Sequence, residues 1–318
     1  ETVRRVTAVQ DVHGAGLEHE AFVYGSDADY VGTLAPLLAD AVAAGEVVFG
    51  VVPSRNAALL RDELGADAAR VQWVDAQEWY RQPARTIAGY DGILRSLRPG
   101  ATAFVVGEVQ FGRTEAEWRA WTRYESALNR VLARYPARVV CPYDERTLPS
   151  SVVRDAECTH PHLLTQGPSE RYVEPERLLA MLTAQVRLPR HRPEVELFQE
   201  TSVRAGRRAF AAAARAWGLP EERVQELTVG ISEVLTNALV HGGGWASIRI
   251  WTGDDALTCA VEDNGDGSDD SLIGLRPPPP DAEGGYGLWY ARQVFDSAEV
   301  VPGSTDGGLL VVLVARRA

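Results

Sequence analysis

The chain has 318 residues, 45% hydrophobic and 24% charged, with a formal net charge of −12, a balance that fits a globular protein of two domains with separate cores. No apolar run reaches the roughly 18 residues of a membrane span, no signal-peptide pattern opens the chain, and three scattered cysteines make no disulfide framework; a cytoplasmic protein without a membrane partner is expected. The negative charge opposes general nucleic-acid binding, and the complete lack of lysine excludes the usual phosphate-binding P-loop, so a nucleotide would have to be held by a metal ion, backbone amides and arginine.

The first part alternates strand and helix signals. β-Rich runs fall at "HEAFVYG" (19–25), "EVVFGVVP" (46–53), "RVQWVD" (70–75), "TAFVVGEV" (102–109) and "ARVVCPYD" (137–144). Helical patterns separate them, among them "DYVGTLAPLLADAVAAG", "RNAALLRDEL" and the long "TEAEWRAWTRYESALNRVLARY" (114–135). Continuous apolar strands alternating with helices predict a parallel sheet covered on both faces, an α/β domain over residues 1–165. Prolines 168, 175, 189 and 193 then punctuate a linker, 166–194, with one short helix. A second domain, 195–318, opens with two helices. Strands at 246–252 and 256–263, a Gly/Pro-rich loop (264–287), a helix "LWYARQVF" and strands "SAEVV" and "GLLVVLVA" follow, which predicts an α+β sandwich.

Three stretches of the second domain carry chemistry. In "ISEVLTNALVHGGG" (231–244), Ile231, Val234, Leu235, Ala238 and Leu239 form one apolar stripe, while Glu233, Asn237 and His241 fall four apart on another face. "VEDNGDG" (261–267) puts Asp263 at a strand end, followed by Gly265 and Gly267. "EGGYGLWYARQ" brings glycines directly before a helix, where free amides and the helix dipole favour an anion.

In this order and spacing the three stretches resemble the nucleotide boxes of the GHKL ATPases, and most closely the anti-sigma-factor serine kinases of the SpoIIAB and RsbW group, over roughly residues 195–318. The resemblance implies a Bergerat ATP-binding sandwich that uses ATP and Mg²⁺. Asn237 would hold Mg²⁺ between the phosphates, Glu233 would serve as catalytic base, and Asp263 would take the adenine amino group. Gly265 and Gly267 would let the backbone approach the base, and Gly285, Tyr286, Gly287 and Leu288 would form the lid over the phosphates. His241 is placed either to touch a phosphate or to cap its helix. Where the family's last strand usually starts Gly-Thr, this chain has Gly308-Leu309, which removes one polar contact near the base. The resemblance further implies a homodimer that binds an RNA polymerase sigma factor and phosphorylates a serine on a STAS-domain anti-anti-sigma factor. The alternative is a non-catalytic ATP-binding regulator that sequesters partners in response to a small ligand. A phosphoacceptor histidine on a long dimerisation helix is not found: His191 is hemmed by prolines, and His13, His19, His160, His162 and His241 lie on no suitable helix. Arg204, Arg207 and Arg208 offer a basic face, either a partner contact or merely solvated.

In the first domain, "EHEAFVYGSD", "EWYRQPART", "GEVQFG", "RYESALNRVL", "VVCPYDERTLP" and "ECTHP" resemble the MEDS sensory domain, over about residues 10–165. The resemblance implies a RecA-like sandwich that has lost its P-loop and that binds a small molecule to regulate the ATP domain. Glu108, at the end of a strand, and Cys141, Tyr143 and Asp144, which end the last one, are candidates for the sensory site, with Cys158 and His160. Cys158, His160 and His162, with His19, also offer metal ligands, although C-x-H-x-H matches no closed zinc pattern.

Overall fold

A computed structural model describes residues 16–197, 202–279, 281–282, 284–304 and 307–317; His13 and the start of the predicted MEDS-like region lie outside the described residues. The first half contains β1 (Leu17–Tyr24), α1 (Asp27–Ala44), β2 (Val47–Val52), α2 (Ser54–Leu64), β3 (Val71–Asp75), α3 (Ala76–Trp79), α4 (Pro83–Arg95), β4 (Ala103–Gly107), α5 (Glu115–Val131), β5 (Ala137–Asp144) and α6 (Ser150–Thr159). Two short strands, β6 (His162–Leu163) and β7 (Gly167–Pro168), complete its sheet, and α7 (Pro175–Thr183) follows. The sheet order is β3-β2-β4-β5-β1-β6-β7, parallel throughout except for β7.

Strand alternation assigns each side chain to one of two cores. Phe22, Val48, Phe104, Val106 and Val140 pack beneath α1 and α2. Ala21, Phe49, Val51, Val105, Val139 and Cys141 pack beneath α4, α5 and α6. The helices start where their sequences allow. Ser26 caps α1 by accepting from Asp29 N, and a full capping box joins Thr114 to Glu117 at α5; such caps contribute about 1 kcal/mol each. The pattern predicts α5 out to residue 135, yet it ends at Val131; Pro136 disfavours helical backbone at Tyr135 and has no N–H to offer the Leu132 carbonyl, so the last predicted turn cannot form.

The second half contains β8 (Val195–Leu197), α8 (Val203–Ala216), α9 (Glu221–His241), β9 (Ala246–Thr252), β10 (Ala256–Asp263), α10 (Tyr286–Val294), β11 (Ser297–Pro302) and β12 (Leu309–Arg316). Its sheet is antiparallel in the order β11-β12-β10-β9-β8. One face carries all three helices, with Phe210, Leu227, Ile231 and Leu235 packed on Ile248, Ile250, Cys259 and Leu313. The structure is therefore a mixed α/β molecule with a parallel-dominated sheet and a separate antiparallel one. Among the described residues no helix is long and apolar enough to cross a membrane.

The two halves join at α4 and α10. Gln82 donates its amide to the carbonyls of Phe295, at 2.7 Å, and Arg292. Arg85 Nε reaches Gln293 O at 2.7 Å, and Gln293 donates back to Ala84 O at 3.2 Å. Arg123 of α5 pairs with Glu299 of β11 at 2.9 Å, both largely buried. Leu272, from the loop between β10 and α10, is buried in the core of the first half, and Leu275 packs against the same core.

Candidate functional site

The polar column of α9 meets the end of β10 and the start of α10 around a cavity of about 340 Å³. Asn237, His241, Asp263, Gly265, Gly267, Gly285 and Leu288 all line it, with Val234, Val261, Leu309 and Val311 supplying an apolar floor. The apolar stripe of α9 forces this arrangement. Ile231, Val234, Leu235 and Ala238 are buried against the sheet, so Glu233 and Asn237, one turn apart, remain on the neighbouring, partly open face.

Asp263 is fixed before any ligand arrives. Its Oδ1 accepts from Gly265 N and from Leu309 N, each at 3.0 Å, although the residue is only 8% exposed. The backbone of Leu309 thus braces the carboxylate, while the residue also lines the cavity as part of its apolar wall. A carboxylate on an apolar floor suits a flat heterocycle with an exocyclic amino group.

The other side of the cavity is shaped by α10. Gly285 precedes it at φ +87°, a left-handed conformation that side chains resist, and among the described residues no side-chain cap bonds to the first amides of the helix. Gly287 faces the two polar residues of α9. A Cβ there would lie 3.0 Å from Glu233 Oε2 and 3.1 Å from Asn237 Nδ2, so glycine lets the helix start against them. Uncapped amides, a side-chain oxygen and a carboxylate at one mouth form a set of groups that can hold a polyphosphate and a hard cation. Glu233, Tyr286 and Gly287 stand outside the cavity wall itself. Tyr286 is exposed and donates its hydroxyl to Pro279 O at 3.0 Å, and His241 is exposed at the last position of α9.

The sensory candidates of the first half divide into three places. Glu108 is 8% exposed and accepts from Tyr24 and Tyr30 at 3.1 Å and from Asn56 at 2.9 Å. Burial pushes its carboxyl above the ordinary value, and these donors offset only part of that rise. Asp144 joins a surface network in which Arg146 bridges it to Asp27 and Arg55 reaches Asp27 as well; the Arg146 guanidinium holds the Asp144 carboxyl down. Cys141 and His160 turn the other way, into the α5 face of the sheet, and Tyr143 is set edge-on to the His160 ring at 5.8 Å. There they meet His19 and Glu125; the latter lies within the stretch "RYESALNRVL", where the sequence singles out no one residue. Cys158 is half-buried and His162 exposed, and neither belongs to this group. The signal for Glu125 is its place with Asn129, four residues on, between the apolar Trp121, Tyr124 and Leu128 of one helix face.

Comparison with known proteins agrees with both halves. Residues 18–161 match the family described as MEDS, the methanogen/methylotroph DcmR sensory domain. Residues 198–314 match the histidine kinase-like ATPase domain. The chain is 30% identical over 118 residues to the serine-protein kinase RsbW of Bacillus licheniformis, an alignment covering 33% of this chain and 72% of that protein.

Proposed function

We propose that this chain, which belongs to the family of the serine-protein kinase RsbW and carries a MEDS domain ahead of its histidine kinase-like ATPase domain, is an ATP- and Mg²⁺-dependent anti-sigma-factor serine kinase. It binds a sigma factor in the cytoplasm and phosphorylates a serine on a STAS-domain anti-anti-sigma factor. The observation that carries this reading is that Asp263 and Asn237 line one cavity while Glu233, one turn from Asn237 on α9, stands just outside its wall beside Gly287: these would be a base selector, a cation ligand and a general base in that order. Asp263 would accept a hydrogen bond from the adenine amino group, the amides at the start of α10 and Asn237 would hold the phosphates and Mg²⁺, and Glu233 would take the proton of the serine hydroxyl. His241, Gly265, Gly267, Tyr286 and Leu288 complete the nucleotide site.

The remaining assignments follow the same reading. Residues 166–194 link the two domains, and the first is a RecA-like sandwich without a P-loop. Arg204, Arg207 and Arg208 line a surface groove of about 590 Å³ with the exposed Val229, a surface suited to an acidic protein partner or to the second subunit of a homodimer. The buried Leu272 supports regulation by the MEDS domain, because a shift of that domain's core moves the loop that closes the nucleotide cavity. A small ligand would act through Glu108, Asp144 or the Cys141–His160 face. Incubating the whole chain with γ-labelled ATP and its STAS protein tests the reading. Label on a STAS serine supports the kinase; tight ATP binding without transfer would leave a non-catalytic regulator.

A further inference from the structure

His19, Glu125, Cys141 and His160 come from four different elements of the first half, β1, α5, β5 and the end of α6, and all are buried. One donor atom of each lies within 4.8 Å of all the others. His19 Nε2 is 3.2 Å from Glu125 Oε2 and 3.4 Å from Cys141 Sγ. Glu125 Oε2 is 3.5 Å from Cys141 Sγ and 3.5 Å from His160 Nε2. Zinc bonds of about 2.0–2.1 Å to nitrogen and 2.3 Å to sulfur give a tetrahedron with edges of roughly 3.3–3.7 Å, close to these separations.

Neighbouring groups settle which nitrogens face inward. His19 Nδ1 lies 3.1 Å from Asn129 Oδ1, and Asn129 is held with its amide donating to the carbonyls of Thr159, at 2.8 Å, and Ser126, at 3.2 Å. Its oxygen is therefore turned to the histidine, and Nδ1–H donates to it. His160 Nδ1 likewise faces the Ala156 carbonyl at 3.0 Å. Both Nε2 atoms then present lone pairs to a carboxylate and a thiol, four acceptors or weak donors in a dry space. Among the described residues His160 Nε2 finds no hydrogen-bond partner of normal geometry, and neither does Glu125 Oε1. Protonating both imidazoles instead would put two cations side by side, with ring centres 4.1 Å apart, against a single carboxylate. Bound oxygens on the outer nitrogens are the arrangement that metal-ligating histidines adopt.

We propose that these four residues form a buried tetrahedral site for a borderline-soft divalent transition metal of the zinc class, with Asn129 and the Ala156 carbonyl as outer supports. Two imidazoles, a thiolate and a carboxylate suit zinc and disfavour magnesium or calcium, which prefer all-oxygen shells. Metal entry displaces the Cys141 thiol proton to solvent and leaves a thiolate.

The test strips the whole chain of metal with a chelator, adds cobalt(II) alone, and records absorption and stoichiometry. The site predicts one cobalt per chain, the d–d bands of tetrahedral cobalt, a thiolate-to-cobalt charge-transfer band, and loss of all three on adding zinc. Cys141→Ser, with unchanged far-ultraviolet circular dichroism, removes the charge-transfer band, while Cys158→Ser keeps it. Should Cys141→Ser fail to fold, Glu125→Gln, which preserves side-chain volume, lowers cobalt affinity at least tenfold. No cobalt bound, weak octahedral bands only, a thiolate band surviving in Cys141→Ser, or unchanged affinity in Glu125→Gln each overturns the proposal.

Discussion

Asp263 and Glu108 are both buried carboxylates, and their surroundings predict different behaviour. Asp263 accepts two backbone hydrogen bonds and opens on a cavity, where the proposed function gives it the recognition of the base. Asp263→Asn puts an amide donor where, in the proposed function, the adenine amino group also donates. ATP affinity should fall about 10- to 100-fold, the order expected for one unsatisfied buried hydrogen bond, as read by calorimetric titration. Unchanged affinity would remove Asp263 from base recognition. Glu108 is instead raised by burial, so the folded state holds its proton at a pH where the unfolded chain has released it. Stability is therefore lost as pH rises above the ordinary value of 4.5 and through the folded value. Melting temperature should therefore climb as pH is lowered from neutrality toward 4.5, and Glu108→Gln should lose that component of the slope. Parallel slopes in the two proteins would show that Glu108 contributes nothing to it. The Glu233–Asn237–His241 spacing is legible in the sequence because the helical period places i and i+4 together. Glu125 is not, since one acid among the several of α5 gains meaning only when β1, β5 and α6 close around it.

At the scale of elements, the long strands are legible and the short ones are not. β1 to β5, β9 and β10 are runs of β-branched and aromatic residues, whereas β6, β7 and β8 are two or three residues long and exist through the neighbour they pair with. The loop between β10 and α10 reads as Gly/Pro-rich chain, yet "SLIGL" carries Leu272 and Leu275 into the junction with the first half. Two leucines in an otherwise polar loop are the signal of such an anchor. Arg292 ties the same segment to α10, donating from Nε to Ile273 O at 3.2 Å. Leu272→Ala should cost about 2–5 kcal/mol of stability by leaving a cavity in that core. Hydrogen exchange across the loop should also accelerate. Exchange that stays at the wild-type rate would mean the loop is held from the ATPase side alone.

For the whole molecule, one long helix connects the features of the first half to the second. α5 carries Glu125 and Asn129 on its inner face, and Arg123 from the same helix pairs with Glu299 of the second sheet. Nearby, Gln82 holds the C-terminal end of α10, the helix whose first turn borders the nucleotide cavity. A change in the first half thus has a short physical route to the first turn of α10. Contacts of this kind were beyond the sequence, since they pair residues more than 170 positions apart; the order of the three nucleotide motifs was within it, because each is local. The central claim is that Glu233 acts as base in a protein-serine kinase, and a single-turnover comparison of the intact chain with Glu233→Gln tests it most directly. Phosphate transfer from ATP to the STAS serine should fall by at least about 10²-fold, the scale of general-base catalysis, while the ATP dissociation constant stays within twofold. Transfer at the wild-type rate in Glu233→Gln would contradict it.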